Sequence, residues 1–351
     1  MASSQHRDQF TLSSMDAPFF SILITTYNRA GHAVRCVNSC RIQTFQDFEI
    51  VVVDDASTDD TGAALAALHE PRLRIVRHEY NRGISPARAT GVTHARGKWF
   101  VIMDSDWELV PDALARLRML IDGLPAGVRI IRSRLRWDDG RISPTIMPTG
   151  VTRYQERLRW TDAFAVTKGC SSDAGHCMHR SVFDTTNYFS DRRGGMEALW
   201  ELDLARREPS LWVTDILGLE HSDAPNSHSR GTSRGLARRL LHEAPDSLWM
   251  TETLLAEHAD GLTRDAPHFR LSLMQRAARD AFLAGHRVKG IRHTWDAVRS
   301  GGPSFKMGAI FLLGMLGPRA LAHGNIGWRK RRVRDARPAL PSMTADPKRE
   351  T

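Results

Sequence analysis

The sequence predicts an α/β fold with a mostly parallel sheet through its first hundred residues. Three observations carry that expectation. Apolar runs of strand length alternate with helix-like segments. The runs are rich in Ile, Val and Phe, as strands buried on both faces are. Their carboxyl ends are polar or acidic, where plain connectors would serve.

Taken in order, strands are expected at Phe19–Thr25, Phe48–Asp54, Leu73–Val76 and Trp99–Asp104. Helices are expected between them at Ala30–Ile42, Asp59–His69 and Pro86–His94. Ser57-Thr58-Asp59-Asp60 supplies side-chain oxygens that cap a helix start. Pro111, at a favoured first helical position, opens a helix to about Leu120. The pattern then loosens. Arg129–Arg136 reads as a strand before an Asp138-Asp139-Gly140 turn. Met196–Arg207 reads as a helix that stops before Pro209, and Leu211–Leu217 as a short strand. From Thr232 to His323 most segments look helical: Leu236, Leu240 and Leu241 fall at helical spacing, and Leu271, Leu273 and Met274 lie near a later start.

At 351 residues, with 41% apolar and 25% charged side chains, the chain has the composition of a folded globular protein. Its net charge of +9 invites an anionic partner until the charge is located. Residues 1–232 hold 28 basic against 29 acidic side chains, and residues 233–351 hold 21 against 11. The surplus therefore belongs to the last third. Its basic run, Arg329-Lys330-Arg331-Arg332, lies in a Pro- and charge-rich tail expected to be disordered. It carries no nucleic-acid motif, so nucleic acid is not an expected partner. Peripheral contact with an anionic membrane fits better, because the apolar Met307–Leu316 stretch stands close by.

Met1–Ala17 is polar, with no apolar core of a secretory signal, and no run reaches the roughly 20 apolar residues that span a bilayer. Four cysteines are too few for a disulfide framework. A cytoplasmic location is expected, with peripheral placement on the inner face of the cytoplasmic membrane as its extension. Cys170, His176, Cys177 and His179 lie close in sequence but match no zinc-ligand spacing, so a structural zinc is not expected.

Open α/β sheets bind ligands at the carboxyl ends of their strands. Here those ends read Thr25-Thr26-Tyr27-Asn28-Arg29, Asp54-Asp55-Ala56-Ser57 and Asp104-Ser105-Asp106. Asp59 and Asp60 are adequately explained as helix caps. Asp104 and Asp106 are not, because carboxylates separated by one residue repel unless a cation lies between them. Hard oxygen donors of this kind suit Mg²⁺ or Mn²⁺, with a substrate phosphate completing the shell. Neither a G-x-G-x-x-G loop nor a phosphate-cradling Walker A loop is present.

Ser21 to Arg29, Val51 to Thr61, Asn81-Arg82-Gly83 through Arg88 to Gly91, and Ala95-Arg96-Gly97 leading into the Asp-x-Asp together resemble family 2 glycosyltransferases of the GT-A fold. The likeness is close over residues 18–125 and weaker to about 232. It implies transfer of a sugar from a nucleotide-diphosphate-sugar, a UDP-sugar above all, to a glycan or lipid-linked acceptor, with inversion at the anomeric carbon. It further implies that Thr25 and Tyr27 border the base, that Asp55 accepts a hydrogen bond from it, and that Arg88 meets ribose or phosphate. Asp106 would bind the metal directly, with Asp104 on ribose or a metal-bound water. His221, in Leu219–Ser227, would join the metal or the diphosphate. The resemblance also implies a general base at a Glu-Asp pair opening a helix after a glycine. In Gly194-Gly195-Met196-Glu197 the first acid is Met196 and the second is Glu197, so Glu197 is the expected base, with Glu201 and Asp203 as alternatives. An acid at Glu197 is also favoured simply by the helix dipole. Trp137, Trp160 and Trp200 are read as core residues before sugar platforms.

The expected organisation is a disordered extension at 1–17 and a GT-A domain at 18–232. That domain divides into a nucleotide-binding half at 18–125 and an acceptor half at 126–232. A helical region at 233–325 and a basic tail at 326–351 follow. A second reading, a nucleotide-sugar-binding protein with weak catalysis, draws on the Met196 departure.

Overall fold

The computed structural model describes residues 17–143, 150–153, 175–184, 199–200, 204, 207–223 and 233–324. Its nucleus is parallel. β1 (Phe20–Thr26) lies between β2 (Phe48–Asp54) and β4 (Trp99–Asp104), and β3 (Leu73–Arg77) extends the sheet beyond β2. Side chains alternate between two cores, as the pleat requires. Ile22, Ile24, Ile50, Val52, Val101 and Met103 join one cluster; Leu23, Val51, Phe100 and Ile102 join the other. The first cluster is closed by α1 (Ala30–Arg41) through Ala33, Cys36, Val37 and Cys40, and by α4 (Ala113–Asp122) through Leu114 and Leu117. Each of these larger apolar side chains contributes about 2 kcal/mol on burial. The second is covered in part by Trp200 and Leu204. Trp200 is therefore a core residue, as expected, while Trp160 lies outside the described residues.

α2 (Thr61–Ala66) is shorter than the run from Asp59 to His69 predicts: the Asp59 carboxylate accepts from the Thr61 amide at 3.1 Å at its start, and at its end the Leu68 and His69 amides bond three residues back, with His69 at φ 47°. α3 (Ile84–His94) begins two residues before Pro86. Beyond β4 the sheet becomes mixed. β5 (Trp107–Leu109) pairs with β10 (Pro209–Glu220), and β10 runs parallel to β6 (Ile130–Trp137). β7 (Ile142–Ser143) and β8 (Gly150–Arg153) are short additions.

The Cys/His segment is β9 (Gly175–His179), antiparallel to both β4 and β6. The Cys177 thiol is buried in the first core, where burial raises its pKa far above that of a free thiol, and the His179 ring meets Trp99 edge-on. These residues pair strands; Cys170 lies outside the described residues.

At the amino end of the strands, Ser21 Oγ donates to Glu49 at 2.6 Å and accepts from the Gly97 amide at 2.7 Å. A Cβ on Gly97 would stand 2.6 Å from the Ser21 backbone nitrogen, so the chain can approach this closely only at glycine. This explains the Ala95-Arg96-Gly97 turn in terms of packing.

The chain divides into two compact units, residues 1–230 with 249–273, and residues 231–248 with 274–351. Their helices are α5 (Ser233–Glu257), α6 (Ala259–Asp265), α7 (Pro267–Leu283), α8 (Arg287–Gly301) and α9 (Phe305–Leu316). In the first unit Met250, Leu254, Leu262 and Leu273 form a cluster that Leu199 joins. In the second, Gly290 of α8 and Gly314 of α9 press against the same Phe282 ring, leaving no room for a Cβ at either position. No helix among the described residues is long and apolar enough to cross a membrane.

Candidate functional site

The carboxyl ends of β1, β2 and β4 lie level, with Thr25 opposite both Val53 and Asp104, and Thr26 opposite Asp54. Tyr27 follows β1 with its side chain 37% exposed, and Thr25 is half-buried. Asn28 turns the chain with φ 51°, a left-handed conformation that Asn tolerates better than most residues. Its side-chain oxygen accepts from the Thr58 amide at 2.7 Å, and its own amide donates to Ser57 Oγ at 2.9 Å. The loops after β1 and β2 are thereby tied together.

Asp54 and Asp55 diverge. Asp54 is fully buried, accepting from Arg77 at 2.6 Å and from the Ser57 amide at 2.8 Å. Asp55, 4% exposed, accepts from the amides of Arg82 at 2.8 Å and Gly83 at 2.7 Å, and pairs with His78 Nδ1 at 2.7 Å. Gly83 sits at φ 96°, which glycine alone adopts without strain. Asn81-Arg82-Gly83 is thus the strap that grips Asp55. A carboxylate offers about four acceptor positions, so three bonds leave room for one more donor.

The Asp-x-Asp ends β4 and turns toward α1. Asp104 receives Arg88 Nη2 at 2.8 Å, and Asp106 receives Arg29 Nη1 at 2.9 Å. Burial first, and then the charge of Asp104, raise the Asp106 carboxyl above the ordinary carboxylate pKa, with Arg29 opposing. Such a carboxylate gains from any added cation. Hard, partly accessible oxygens at a strand end fit a divalent ion.

The segment after β10 closes this side. The His221 amide donates to the Asp106 carbonyl at 3.0 Å, and the His221 ring bonds Glu108. Ser222 donates from its amide and hydroxyl to Asp138, at 2.9 and 2.7 Å. Asp223 meets His32 Nε2 at 3.0 Å, and Arg35 reaches Asp223 and Glu108 at 3.6 and 3.4 Å. These partners keep Asp138 and Asp223 below the ordinary carboxylate pKa, through the Ser222 hydroxyl and the His32 ring respectively. Ligand atoms of Asp138, His221 and Asp223 all lie within 4.8 Å of one another.

The structure therefore brings Asp104, Asp106 and Arg88 together and docks the backbone of His221 on Asp106. The His221 ring turns to Glu108, Asp138 and Asp223. Sequence reasoning assigned no role to Arg29, His32, Arg35, Glu108, Asp138 or Asp223. For the first three a signal existed: their three-residue spacing places them along one side of the start of α1. Glu197, Glu201 and Asp203 lie outside the described residues.

Residues 21–178 match the sequence profile described as "Glycosyl transferase family 2". This segment belongs to glycosyltransferase family 2. The resemblance read from the motifs is borne out, and the family 2 domain has the GT-A fold. The succinoglycan biosynthesis protein ExoO of Rhizobium meliloti is 36% identical over 124 residues, 35% of this chain and 36% of ExoO. Chondroitin synthase of Escherichia coli is 41% identical over 99 residues, 28% of this chain and 14% of that protein. The chain thus matches well under two thirds of the length of either relative. Among solved structures, S. aureus TarS 1–349 in complex with UDP-GlcNAc superposes with a TM-score of 0.52 at 17% identity, covering 82% of this chain and 93% of that one. At that identity the likeness concerns the fold.

Within the family 2 domain, the four quoted motifs have distinct physical tasks. The Tyr27-Asn28-Arg29 turn and the Asp-x-Asp meet through the Arg29–Asp106 pair. The Asn81–Gly83 strap holds Asp55, and Ala95–Gly97 packs the far end of the sheet.

Proposed function

We propose that this chain is a metal-dependent, inverting hexosyltransferase that moves a sugar from a UDP-sugar to a hydroxyl of a glycan or lipid-linked acceptor in cell-envelope polysaccharide synthesis. The observation that carries this reading is the acidic pair Asp104/Asp106 at the end of β4, level with the end of β1 that leads into the exposed Tyr27, and against the backbone of His221. The names of ExoO and TarS's bound UDP-GlcNAc support the envelope and UDP-sugar parts.

In this reading Thr25 and Tyr27 border the base, and the remaining acceptor position of Asp55 takes a base N–H. Arg88, already on Asp104, meets ribose or phosphate. Asp106 and Asp104 would hold Mn²⁺ or Mg²⁺, which would supply positive charge against the departing diphosphate, and the His221 ring, now on Glu108, would have to turn to join them. Glu197 takes the proton from the acceptor hydroxyl. The acceptor oxygen bonds to the anomeric carbon from one face as the bond to the diphosphate oxygen breaks on the other. A lipid-linked acceptor would place the enzyme at the cytoplasmic face of a membrane.

Met196, standing where an acid is expected, favours one second reading: a protein that binds nucleotide-sugars and transfers them poorly. A panel of nucleotide-sugars, each with and without Mn²⁺, separates the two. Thermal stabilisation by one donor in the presence of metal, together with sugar release or transfer, supports the transferase. Stabilisation without turnover supports the binding protein, and absence of both removes the donor reading.

A further inference from the structure

The second compact unit holds a feature that glycosyl transfer does not use. α8 and α9 are fixed from inside: Gly290 and Gly314 meet Phe282, and His293, Thr294, Ala297, Met307 and Ile310 are buried. Their other faces are exposed and apolar. On α8, Val288, Ile291 and Trp295 are 82%, 42% and 57% exposed and fall at three- and four-residue intervals, on one stripe. On α9, Phe305, Leu312, Met315 and Leu316 form a second stripe, with Phe305 and Leu316 exposed to 83% and 76%. Single exposed leucines need no explanation; two stripes with seven large apolar residues, on helices that contact each other, do.

The charges along these two helices are predominantly basic. Between Arg287 and Arg319 the basic residues are Arg287, Lys289, Arg292, Arg299, Lys306 and Arg319, against the single acid Asp296. The Arg299 guanidinium lies 5.1 Å from the Trp295 ring centroid, so that ring joins an apolar face to a cationic edge. Apolar side chains flanked by lysine and arginine, with tryptophan at the border, match the interface of an anionic bilayer. α9, about 18 Å long by its residue count, is too short for the roughly 30 Å hydrocarbon core, so it would lie along the surface.

We infer that the exposed faces of α8 and α9 form a docking surface for an anionic lipid bilayer. Val288, Trp295, Leu312 and Leu316 enter the headgroup–acyl boundary, while Arg287, Arg292, Arg299 and Arg319 meet lipid phosphates. The inference is independent of the glycosyl-transfer reading, because it concerns different residues and is measured without turnover.

Flotation of the full chain tests it, with vesicles of phosphatidylcholine alone and of phosphatidylcholine with phosphatidylglycerol. The expected result is flotation with the anionic vesicles only, weakened by added salt. The double substitution Leu312→Glu/Leu316→Glu should lower vesicle affinity by about tenfold or more, since each leucine loses its apolar burial. Both positions are exposed, so unchanged circular dichroism and melting temperature are expected. Should that variant misfold, Arg292→Glu/Arg299→Glu repeats the test through charge. Failure of the native chain to float overturns the inference, and so does equal flotation of the native and folded variant chains. Self-association that the leucine substitutions abolish, in a chain that does not float, would assign the surface to a second copy instead.

Discussion

Arg29 and Asp106 form an ion pair at 2.9 Å with both side chains largely buried, and Arg88 forms its counterpart with Asp104 at 2.8 Å. From sequence, two carboxylates one residue apart demand a cation between them; the fold gives each one its own guanidinium. A divalent ion entering here competes with Arg29. Replacing Arg29 with Met should therefore destabilise the metal-free protein by about 2 kcal/mol, the cost of leaving a buried carboxylate unpaired, discounted for partial exposure. The same variant should bind Mn²⁺ more tightly than the native chain and recover part of the loss. Thermal unfolding with and without Mn²⁺ measures both effects. A variant as stable as the native protein without metal would show that Arg29 is no counter-ion.

Two groupings of side chains suit a cation, and they make opposite predictions. If Asp106 is the principal ligand, Asp106→Asn should abolish Mn²⁺-dependent stabilisation, which for a site at one hundred times its Kd amounts to about 2.7 kcal/mol. Asp138→Asn and Asp223→Asn should retain most of it. Loss in the latter pair, with retention in Asp106→Asn, would move the ion to the Asp138–His221–Asp223 group, whose ligand atoms lie within 4.8 Å of one another.

The parallel strands were legible because their evidence is local. Phe48–Asp54, broken only by Glu49, and Trp99–Asp104 are apolar runs that end in Asp, and both boundaries match the observed strands. β9 was not, because Gly175-His176-Cys177-Met178-His179 is short and mixed in polarity, and owes its conformation to β4 and β6, remote in sequence. β10 extends well past Leu217, with register shifts between Trp212 and Ile216 and again before Gly218, and this irregularity blurs its period. In the candidate site, Asp104, Asp106 and Asp55 could be named from their positions at strand ends. The ring of Asp138, Ser222 and Asp223 could not, since it joins the turn after β6 to the segment after β10.

Glu197→Gln should lower transfer by about a hundredfold to ten-thousandfold, the usual worth of a general base, while leaving donor binding intact. Parallel measurements of turnover and of donor-induced stabilisation distinguish loss of a base from loss of a fold. Transfer at the native rate would pass the role to Glu201 or Asp203, each testable in the same way.

Asp55 organises the strap before it contacts any ligand. Its carboxylate accepts from two backbone amides and pairs with His78, whose other ring nitrogen lies 2.9 Å from Thr90 Oγ1. Asp55→Ala should cost about 3 kcal/mol, because it orphans buried donors, and should weaken donor binding as the strap loosens. His78→Ala removes one partner and should cost about half as much. Chemical denaturation combined with donor titration checks the pair; an unweakened donor affinity in Asp55→Ala would detach the strap from the site.

Glu49 provides a pH test remote from the metal-binding ends of the strands. It is buried at the amino end of β2, and burial alone would raise its pKa. The Ser21 hydroxyl and the amide and guanidinium of Arg96 outweigh that effect and hold it below the ordinary glutamate value. A depressed folded-state pKa means that the unfolded chain takes up a proton first as pH falls. The stabilisation is therefore complete above the unfolded pKa of about 4.3 and is lost as pH drops through the lower folded value. Glu49→Gln keeps the shape and removes the titration. It should be less stable than the native chain at neutral pH by about 1–2 kcal/mol, with the gap closing below about pH 4. Urea unfolding of both chains across that range measures the gap. A difference that stays constant with pH would show that the Ser21–Glu49–Arg96 contacts stabilise through packing and neutral hydrogen bonds, with no contribution from the carboxylate's charge.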